Sequence, residues 1–581
     1  MPFDAQSSPR FAHRPLTRRE TLAAGAGLTA AACSRGPEAQ APLPVPEGVF
    51  KHGVASGDPD QTSVMLWTAL TLPDGETRRV RVTVSENDDL SAPVFQAEAE
   101  AAARPGSPAA TVKILADGLL PGRRYAYRFE TLDGGEAEQS PTGTTRTLPD
   151  GPIEAYKIAA FSCSNYPAGF FNAYRAAAER GDVDLVLHLG DYIYEYADDG
   201  YASEDAERLS RSSQPPHELL TYADYALRHA QYSSDPDLQA MKAAAPWITI
   251  WDDHETANNA YRTGAENHNE GEGDWFERRD DALRAYYDWL PAREPEPNTL
   301  RYGAVEIGDL ATLVFLETRL WARSPEIEYS SFPVPSDSDP EDPAIQAEVR
   351  RWLEEEVGAP DRTLLGREQF DSVTAALAAS KAAGKPWRIL ANQVLMGEAI
   401  SPDYSSVTPW WLRMGMRAIG GEVWAFAQRT RFNIPLTLDT WDGFPAERER
   451  FYDALRTASA DVIVLTGDSH NYWTVDLKTK AGERVGTEFG VTSVTSPSDY
   501  EFVTAPGVDF GVYTVDANPH IKHHEVYKRG YVLLTLTREE AVADFIAVTD
   551  IKSRAFQTET DSRWRVRPAN GGAVPEVERI G

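Results

Sequence analysis

The most chemically distinctive stretch of the chain is residues 183–196, VDLVLHLGDYIYEY. Its apolar first half is typical of a strand that a parallel sheet buries on both faces. Gly190 then allows a sharp turn, and Asp191 and Tyr194 follow at a spacing that lets both side chains turn toward one metal ion. The carboxylate has a second oxygen that can reach another ion. On this stretch alone, an ordinary strand-to-loop turn with a capping aspartate is an equally good interpretation.

The same pattern, an apolar run followed by polar side chains, recurs four times along the chain. The candidate ligands are Cys163 in KIAAFSCSNY, Asp252, Asp253, His254 and Glu255 in ITIWDDHE, Asn392 in WRILANQ, and Asp468 and His470 in DVIVLTGDSHN. Ligands of open α/β sheets bind outside the carboxyl ends of the strands, so we expect these side chains to converge. One polar turn of this kind is common, whereas five that converge predict a metal-binding site.

The motifs FSCSNY, LHLGDYIYEY, WDDHE, ANQ and TGDSHN, in this order, resemble the metal-binding motifs of the alkaline phosphatase D (PhoD-like) family. That family is related to the purple acid phosphatases within the calcineurin-like metallophosphoesterases. The resemblance extends over most of the chain from residue 50 onward, including FKHGVASGDPDQTSVMLWTAL and KRGYVLLTLT. It implies an α/β (α+β) fold, in which a calcineurin-like metallophosphatase β-sandwich is flanked by helices.

The candidate ligands divide by their chemistry into two sets that share Asp191. A thiolate, a phenolate, an imidazole and a carboxylate suit a transition metal, and the phenolate favours ferric iron (Fe3+); this set is Cys163, Asp191, Tyr194 and His470. An all-oxygen set suits a hard ion, for which calcium (Ca2+) is the better choice because it tolerates irregular geometry; this set is Asp191, Asp253, Asn392 and Asp468. The family resemblance implies one iron and two calcium ions, and Mg2+ or Zn2+ could substitute.

Two further side chains are candidates for work on the substrate. His254 follows the predicted ligand Asp253 and could donate a proton to the leaving-group oxygen or stabilise the equatorial oxygens. Arg319, in TLVFLETRLWAR, could hold a substrate phosphate by a bidentate contact, and a buried network with its neighbour Glu317 is the alternative. The family usually has Asp where Glu317 stands. Glu255 could orient His254, or could be an ordinary carboxylate at the start of a helix.

Length, composition and charge limit the classes of protein that remain. The chain has 581 residues, a length typical of two or three domains. Its hydrophobic content of 42% is sufficient for a hydrophobic core. Its 57 Lys and Arg against 89 Asp and Glu give a net charge of −32 without a basic tract. We therefore expect no nucleic acid partner, because binding a phosphate backbone needs basic patches. A phosphate ester must be attracted by local cations, since the surface as a whole repels it.

Residues 1–36 predict a twin-arginine export signal. The sequence TRRETL at residues 17–22 precedes an apolar run that is too short and too weak to span a bilayer. We expect the Tat export machinery to deliver the protein to the periplasm or the extracellular space, with cleavage after Ala32 or, alternatively, a lipid anchor at Cys33. Only Cys163 then remains in the mature chain, which excludes an intrachain disulfide. We favour a metal-bound thiolate over an inert buried thiol.

The rest of the chain divides into segments by composition. Residues 37–47 form a Pro-rich linker, and residues 48–149 contain short β-prone runs that predict an N-terminal β-sandwich similar to a fibronectin III module. Strands and helices alternate in residues 150–550, as in an α/β catalytic domain, and we expect residues 551–581 to be a C-terminal tail. The segment 405–431, which is rich in large apolar residues and contains several tryptophans, predicts packed helices. A lid that narrows the site, or a surface for lipid tails, is the alternative.

Together these features predict a secreted metal-dependent phosphatase that hydrolyses phosphate esters by attack of a metal-activated hydroxide. A phosphodiesterase or a phospholipase D-type hydrolase, acting on phosphodiesters or phospholipids, would use the same metals, and relatives of the family include such activities. An exported calcium-dependent binding protein that has lost catalysis is an alternative from a different class.

Overall fold

The computed structural model describes residues 48–133, 135–295, 301–419, 421–458, 461–503, 507–569 and 574–581. The predicted export signal and the Pro-rich linker lie outside the described residues. Within these ranges, no helix combines the length and the apolar character that crossing a bilayer requires.

The described residues form three β-sheets. The strands are β1 Val54–Gly57, β2 Val64–Leu70, β3 Thr77–Ser85, β4 Pro93–Ala102, β5 Ala110–Ala116, β6 Arg124–Thr131, β7 Gly143–Arg146, β8 Ala155–Phe161, β9 Leu185–His188, β10 Trp247–Thr249, β11 Gly303–Ile307, β12 Ala311–Phe315, β13 Trp387–Ala391, β14 Val462–Thr466, β15 Tyr472–Lys478, β16 Arg484–Gly490, β17 Ile521–Glu525, β18 Arg529–Thr537, β19 Ala541–Val548, β20 Thr558–Val566 and β21 Glu578–Arg579. The sheet orders are β21-β20-β19-β18-β8-β9-β10-β1-β2-β5, β11-β12-β13-β14-β16-β15-β17 and β4-β3-β6-β7.

Along the chain, most helices fall between strands of the two larger sheets. They are α1 Asn172–Ala178, α2 Ala206–Leu209, α3 Tyr222–Ser233, α4 Pro236–Ala244, α5 Trp275–Trp289, α6 Pro343–Arg351, α7 Gly366–Ala382, α8 Tyr404–Val407, α9 Trp410–Ile419, α10 Gly421–Arg429, α11 Pro445–Thr457 and α12 Phe510–Ala517. Helices α3 and α5 lie in the long segments that precede and follow β10. Thr221 and Asp274 cap their first turns by accepting hydrogen bonds from backbone N–H groups.

The main core lies between the ten-stranded and the seven-stranded sheets. Ile158 and Leu187 of the first sheet and Ile389 and Ile463 of the second belong to one buried cluster. Helices α1, α3, α4 and α5 cover the outer face of the ten-stranded sheet, while α7 and α11 cover that of the seven-stranded sheet. The predicted β-sandwich flanked by helices is therefore confirmed, and burial on both faces explains the continuous apolar runs of its parallel strands.

The N-terminal region also forms two packed layers, but it shares a sheet with the rest of the protein. Valines of β3 and tyrosines of β6 pack against β2 in one cluster. Strand β1, which pairs with β2, also pairs in parallel with β10 through Gly57 and Trp247. Gly57 permits this junction because a Cβ there would lie 2.5 Å from the carbonyl oxygen of Pro291. The N-terminal sandwich is thus built onto the edge of the sheet that contains β8, β9 and β10.

The segment 551–581 is not the tail that we expected from the sequence. Strand β20 pairs with β19 along its whole length, and β21 extends the same sheet. Ser562, Trp564 and Val566 alternate as the buried face of β20. The prediction was wrong because the exposed face of this strand is highly charged and its buried face offers only two apolar residues, Trp564 and Val566.

Candidate metal centre

The loops that carry the predicted ligands leave the carboxyl ends of strands from both large sheets. Cys163, Asp191 and Asp253 follow the parallel strands β8, β9 and β10, whereas Asn392 and Asp468 follow the parallel strands β13 and β14. Because parallel strands end at the same edge, the two sheets present these loops to one region between them. The structure therefore brings together residues that are up to about 300 positions apart, as the Ser496 to Tyr194 hydrogen bond shows with a separation of 302.

Several ligand loops adopt a backbone conformation that L-residues rarely use. The φ angles of Cys163, Asp191, Asp468 and His470 are 59°, 54°, 63° and 57°. Left-handed conformations at non-glycine residues cluster at functional sites, where the surrounding structure holds them. Gly190 has a φ of 107°, and a Cβ there would lie 2.4 Å from Cβ of Asp252. Glycine is thus required for the loops after β9 and β10 to approach each other.

Four donor atoms of different types meet around Asp191. Its Oδ2 lies 3.4 Å from Sγ of Cys163 and accepts a hydrogen bond from the Tyr194 hydroxyl at 3.2 Å. That hydroxyl is 3.3 Å from Nε2 of His470. Nδ1 of His470 is 2.7 Å from the carbonyl oxygen of Pro497, which can only accept, so the proton is on Nδ1 and the Nε2 lone pair faces Tyr194. Burial lowers the pKa of His470 to about 3, which keeps the ring neutral.

A second cluster contains only carboxylates. One oxygen from each of Asp191, Asp252, Asp253 and Asp468 lies within 4.8 Å of the others. Within the described residues, Asp191 Oδ1, Asp252 Oδ2 and Asp253 Oδ1 are buried and have no hydrogen-bond partner. Buried carboxylate oxygens without a partner are costly, and a hard cation with oxygen ligands would satisfy all three.

The charge balance of the centre also favours cations. Burial raises the pKa of Asp191 well above its ordinary value, and Asp253 and Asp252 raise it further against the opposing effect of His254. Burial, followed by the charge of Asp191, likewise raises the pKa of the Cys163 thiol and of the Tyr194 phenol. Metal ions would reverse these shifts by stabilising thiolate, phenolate and carboxylate. The residues present therefore fit a metal centre.

Arg319 is fully buried beside the carboxylate cluster. Its Nε donates to Asp252, and its Nη1 donates to both carboxylate oxygens of Asp439 at 2.9 and 2.8 Å. Only Nη2 has no hydrogen-bond partner within the described residues, and it lies 3.7 Å from Asp253 Oδ1 and 3.8 Å from Asp468 Oδ1. The predicted bidentate contact with a phosphate is wrong, because the two other nitrogens are already bound to carboxylates.

The alternative network between Arg319 and Glu317 exists only through the backbone. The Glu317 carboxylate accepts hydrogen bonds from the backbone N–H groups of Arg319, Leu320 and Trp321 at 3.0, 2.7 and 2.7 Å. It also accepts one from Nε1 of Trp251 at 2.9 Å. Glu317 therefore shapes the loop that carries Arg319 and does not neutralise its guanidinium.

Asn392 lies next to the Asp468 loop, since its backbone N–H donates to the carbonyl of Leu465 at 3.0 Å. Its Nδ2 donates to the carbonyl of Val394 at 2.6 Å. The amide oxygen has one long contact, 3.4 Å, with Nε1 of Trp441. This orientation leaves the oxygen available to a cation, and the role of Asn392 as a ligand stays a prediction.

His254 lies beside the centre, with the centre of its ring 4.3 Å from that of Tyr194 and the two ring planes tilted by 32°. Nδ1 is 2.7 Å from Oε2 of Glu195, and a ring nitrogen lies within 4.8 Å of oxygens of Asp191 and Asp253. Burial disfavours the charged ring, but Glu195, Asp253 and Asp191 together raise the pKa of His254 well above its ordinary value. The arrangement holds the imidazole in one orientation and favours its charged form.

The carboxylate that orients His254 is Glu195, which the sequence analysis missed. Glu255 instead accepts hydrogen bonds from the backbone N–H groups of Asp191, Tyr192 and Asp252 at 3.1, 2.6 and 2.8 Å. The predicted contact of Glu255 with His254 is wrong because Glu255 points toward the backbone of the two ligand loops and ties them together. The position of Glu195 directly after Tyr194 was the only signal in the sequence.

Comparisons with known proteins identify the family of the chain. Residues 158–545 match the model of the PhoD-like phosphatase family, and residues 37–149 match that of the PhoD-like phosphatase N-terminal domain. Alkaline phosphatase D of Bacillus subtilis (strain 168) is 33% identical over 521 residues, which cover 85% of this chain and 77% of that protein. The solved structure of PhoD is 29% identical, covers 92% of both chains and superposes with a TM-score of 0.72. Purple acid phosphatase PPD1 from yellow lupin (Lupinus luteus) is 12% identical, with a TM-score of 0.48 over 91% of this chain and 73% of that one.

Proposed function

The chain belongs to the PhoD-like phosphatase family and is a phosphoesterase, and we propose that it is an exported enzyme that hydrolyses phosphate esters with one iron and two calcium ions in the centre described above. One observation carries the proposal. A thiol and a phenol contact one oxygen of Asp191 and an imidazole nitrogen lies within 4.8 Å of the same group of atoms, while the other Asp191 oxygen is among three buried carboxylate oxygens without a hydrogen-bond partner in the described residues.

The donor types suggest how the ions would be distributed. Cys163, Asp191, Tyr194 and His470 would hold iron, since thiolate, phenolate and imidazole suit a transition metal. Asp191, Asp253, Asn392 and Asp468 would hold calcium, and the unpartnered oxygen of Asp252 is available to the same group of ions. When bound, these ions would lower the pKa of a water in the site and offset the charge of the phosphoryl group.

The protein itself would supply the proton for the leaving group. Glu195 holds the Nδ1 side of the His254 ring, so the other nitrogen is free to donate to the departing oxygen. Neighbouring carboxylates, Glu195 first among them, raise the pKa of His254, which favours the protonated ring that a general acid needs. This preserved acid argues against a binding protein without catalysis.

The charges near the centre favour a phosphodiester over a phosphomonoester. Arg319 offers one free N–H position, and the Asp439 carboxylate beside it is shared between Arg319 and Arg323. A monoester dianion carries one more negative charge than a diester and would need a further cationic side chain. We therefore propose phosphodiesters, including the phospholipids of a phospholipase D-type reaction, as a second candidate substrate class.

Metal analysis with a visible absorption spectrum tests the centre directly. The protein is purified without chelators, and we expect iron, calcium and a phenolate-to-iron charge-transfer band that Tyr194→Phe removes. Turnover of p-nitrophenyl phosphate and bis(p-nitrophenyl) phosphate then separates monoester from diester preference. Zinc alone, or an absorption band that persists in Tyr194→Phe, would overturn the assignment of Cys163 and Tyr194 to iron.

A further inference from the structure

Exposed apolar side chains are concentrated in one short segment. Of the eleven large hydrophobic residues that are exposed in the described chain, four lie within eight positions: Val407, Trp410, Trp411 and Met414, with exposures of 41%, 66%, 40% and 62%. Trp410 and Trp411 are also the only exposed tryptophans among the described residues. These four side chains, on α8 and the start of α9, are called the apolar face below.

The apolar face is not the side by which α9 packs onto the protein. Leu412 and Met416 make that contact, in a cluster with Tyr404 of α8 and Phe510 of α12. Within α9, Trp410 and Trp411 lie four and three positions before Met414, the spacing of one helical face, and Val407 ends the preceding helix α8. A helix that is apolar on two sides normally has partners on both. Large exposed apolar patches on soluble proteins mark interaction surfaces.

The segment that carries the apolar face has a net charge opposite in sign to that of the whole protein. Residues 404–431 contain four arginines and one acidic residue, 4 − 1 = +3, in a chain of net charge −32. Arg417 is exposed, and its guanidinium stacks over the Trp424 ring at 4.8 Å. Arg413 donates to the carbonyls of Ser406 and Thr408 at the base of the same face. Tryptophan beside arginine is the composition of protein surfaces that enter the headgroup region of anionic membranes.

We propose that the apolar face docks onto an anionic lipid bilayer, with Trp410, Trp411 and Met414 at the boundary of headgroups and acyl chains. Arg413 and Arg417 lie beside the phosphate groups. This surface interaction goes beyond hydrolysis of phosphate esters and holds for any ester that the centre cleaves. A second copy of the chain fits less well, because four side chains fall far short of the roughly 800 Å² per partner that a stable interface needs. Self-association also places like charges opposite each other.

The apolar face is connected to the predicted metal centre through a few contacting residues. The hydroxyl of Tyr404 in α8 lies 3.4 Å from that of Tyr500. Three and four positions before Tyr500, Pro497 and Ser496 contact His470 and Tyr194 at 2.7 Å each. A docked α8 and α9 therefore lie against the segment that orients two of the predicted iron ligands.

Vesicle sedimentation of the full-length protein tests the proposal. Vesicles of equal parts phosphatidylglycerol and phosphatidylcholine are compared with vesicles of phosphatidylcholine alone, at low and at physiological salt. We expect the protein to partition roughly tenfold more strongly onto the anionic vesicles, and less so as salt rises. The triple variant Trp410→Ser, Trp411→Ser, Met414→Ser and the separate double variant Arg413→Gln, Arg417→Gln should each lose about tenfold in partitioning.

Matched controls separate docking from damage to the fold. Phe276→Ser removes an apolar side chain of 45% exposure from α5 and should leave partitioning unchanged. All three variants should hydrolyse soluble bis(p-nitrophenyl) phosphate like the parent protein. The proposal is overturned if the parent protein does not sediment with anionic vesicles, or if the triple variant sediments equally well. A parent dimer that the triple variant converts to monomers, without vesicle binding, would make the face a subunit contact and would also overturn it.

Discussion

Oε2 of Glu195 accepts a hydrogen bond from Nδ1 of His254 at 2.7 Å across a separation of 59 residues. The other oxygen of Glu195 accepts from the backbone N–H of Asn258 at 2.8 Å and from Nδ2 of Asn267 at 2.7 Å. With three donors, the pKa of this carboxyl stays below its ordinary value although burial alone would raise it. Glu195 is therefore a charged positioning residue that fixes the ring of the proposed general acid.

We expect Glu195→Gln to lower kcat by about 100-fold, because loss of the charge removes the protonated state that general acid catalysis needs. KM and the content of iron and calcium should remain near those of the parent enzyme, since Glu195 contacts none of the predicted ligands. Kinetics and metal analysis on the same preparation check this. Glu277→Gln, at an exposed position of α5, serves as the control. Metal loss together with activity would contradict the positioning role.

Substitution of Arg319 tests the balance of buried charges. Arg319→Met leaves Asp252 and Asp439 without their shared cation, and breaking a buried charge network in this way costs about 3–5 kcal/mol. We expect a loss of that order in the unfolding free energy of the chelator-treated protein, and a smaller loss with calcium present. Urea unfolding in both conditions measures it. Arg284→Met breaks an exposed pair with Asp281 and should change stability by less than about 1 kcal/mol.

Much of the fold was predictable because it rests on local patterns. Strands β9 and β14 are apolar up to their last residues, His188 and Thr466, since helices and the opposite sheet bury both faces. The capped helices α3 and α5 carry start signals in their own sequences. The pairing of β1 with β10 was not predictable, because it depends on the close approach of two distant backbones at Gly57. Strand β20 was missed for the related reason that its partner β19, not its own composition, determines its structure.

The residues of the candidate site also divide into those that could be predicted from the sequence and those that could not. Residues such as Asp191 and Asp468 could be singled out because each directly follows an apolar strand. Glu195 and Asp439 could not, because their importance comes from the partners that the fold brings to them, His254 and Arg319. Sequence spacing indicates which side chains can reach the edge of a sheet. It does not indicate which carboxylate faces which partner. The carboxylate in contact with His254 is Glu195, and not Glu255 as we had predicted.

Glycine at position 190 provides a test of how closely the ligand loops must approach. Gly190→Ala places a Cβ 2.4 Å from Cβ of Asp252, so we expect the loops to separate, with loss of bound metal and of activity. Gly181→Ala is the matched control, since Gly181 also has a positive φ, 67°, but a Cβ there meets no atom within 4 Å. Both variants should lose about 1 kcal/mol of stability from backbone strain. Equal metal content in the two variants would contradict the close-approach explanation.

Export through the twin-arginine pathway is tested by the paired arginines themselves. Arg18→Lys together with Arg19→Lys keeps the charge but removes the guanidinium pair on which the predicted signal depends. We expect the enzyme to accumulate inside the cell with full phosphoesterase activity, while the parent protein is found outside the cytoplasm. Cell fractionation with an activity assay measures the distribution. An unchanged distribution would mean that the first 36 residues are not a twin-arginine signal.

The buried side chain of Lys242, which lies outside the metal centre, allows a prediction of how the free energy of unfolding depends on pH. Its ammonium nitrogen lies 3.3 Å from Oγ of Ser233 and 4.2 Å from the centre of the Trp67 ring. Burial lowers the pKa of Lys242 from 10.5 to about 7. Between these two values the unfolded chain binds a proton that the folded chain does not, so stability due to this group rises as pH rises from 7 to 10.5.

We therefore expect Lys242→Met to raise the unfolding free energy at pH 7 by a few kcal/mol, on the order of 2–5. The advantage of the variant should shrink as pH approaches 10.5, because the parent protein then folds with a neutral amine at no cost. Urea unfolding at pH 7, 8.5 and 10 in a calcium-containing buffer measures the trend. Lys480→Met, at an exposed position, should show no such pH dependence. A variant less stable than the parent at pH 7 would mean that Lys242 is stabilised by its contacts more than burial destabilises its charge.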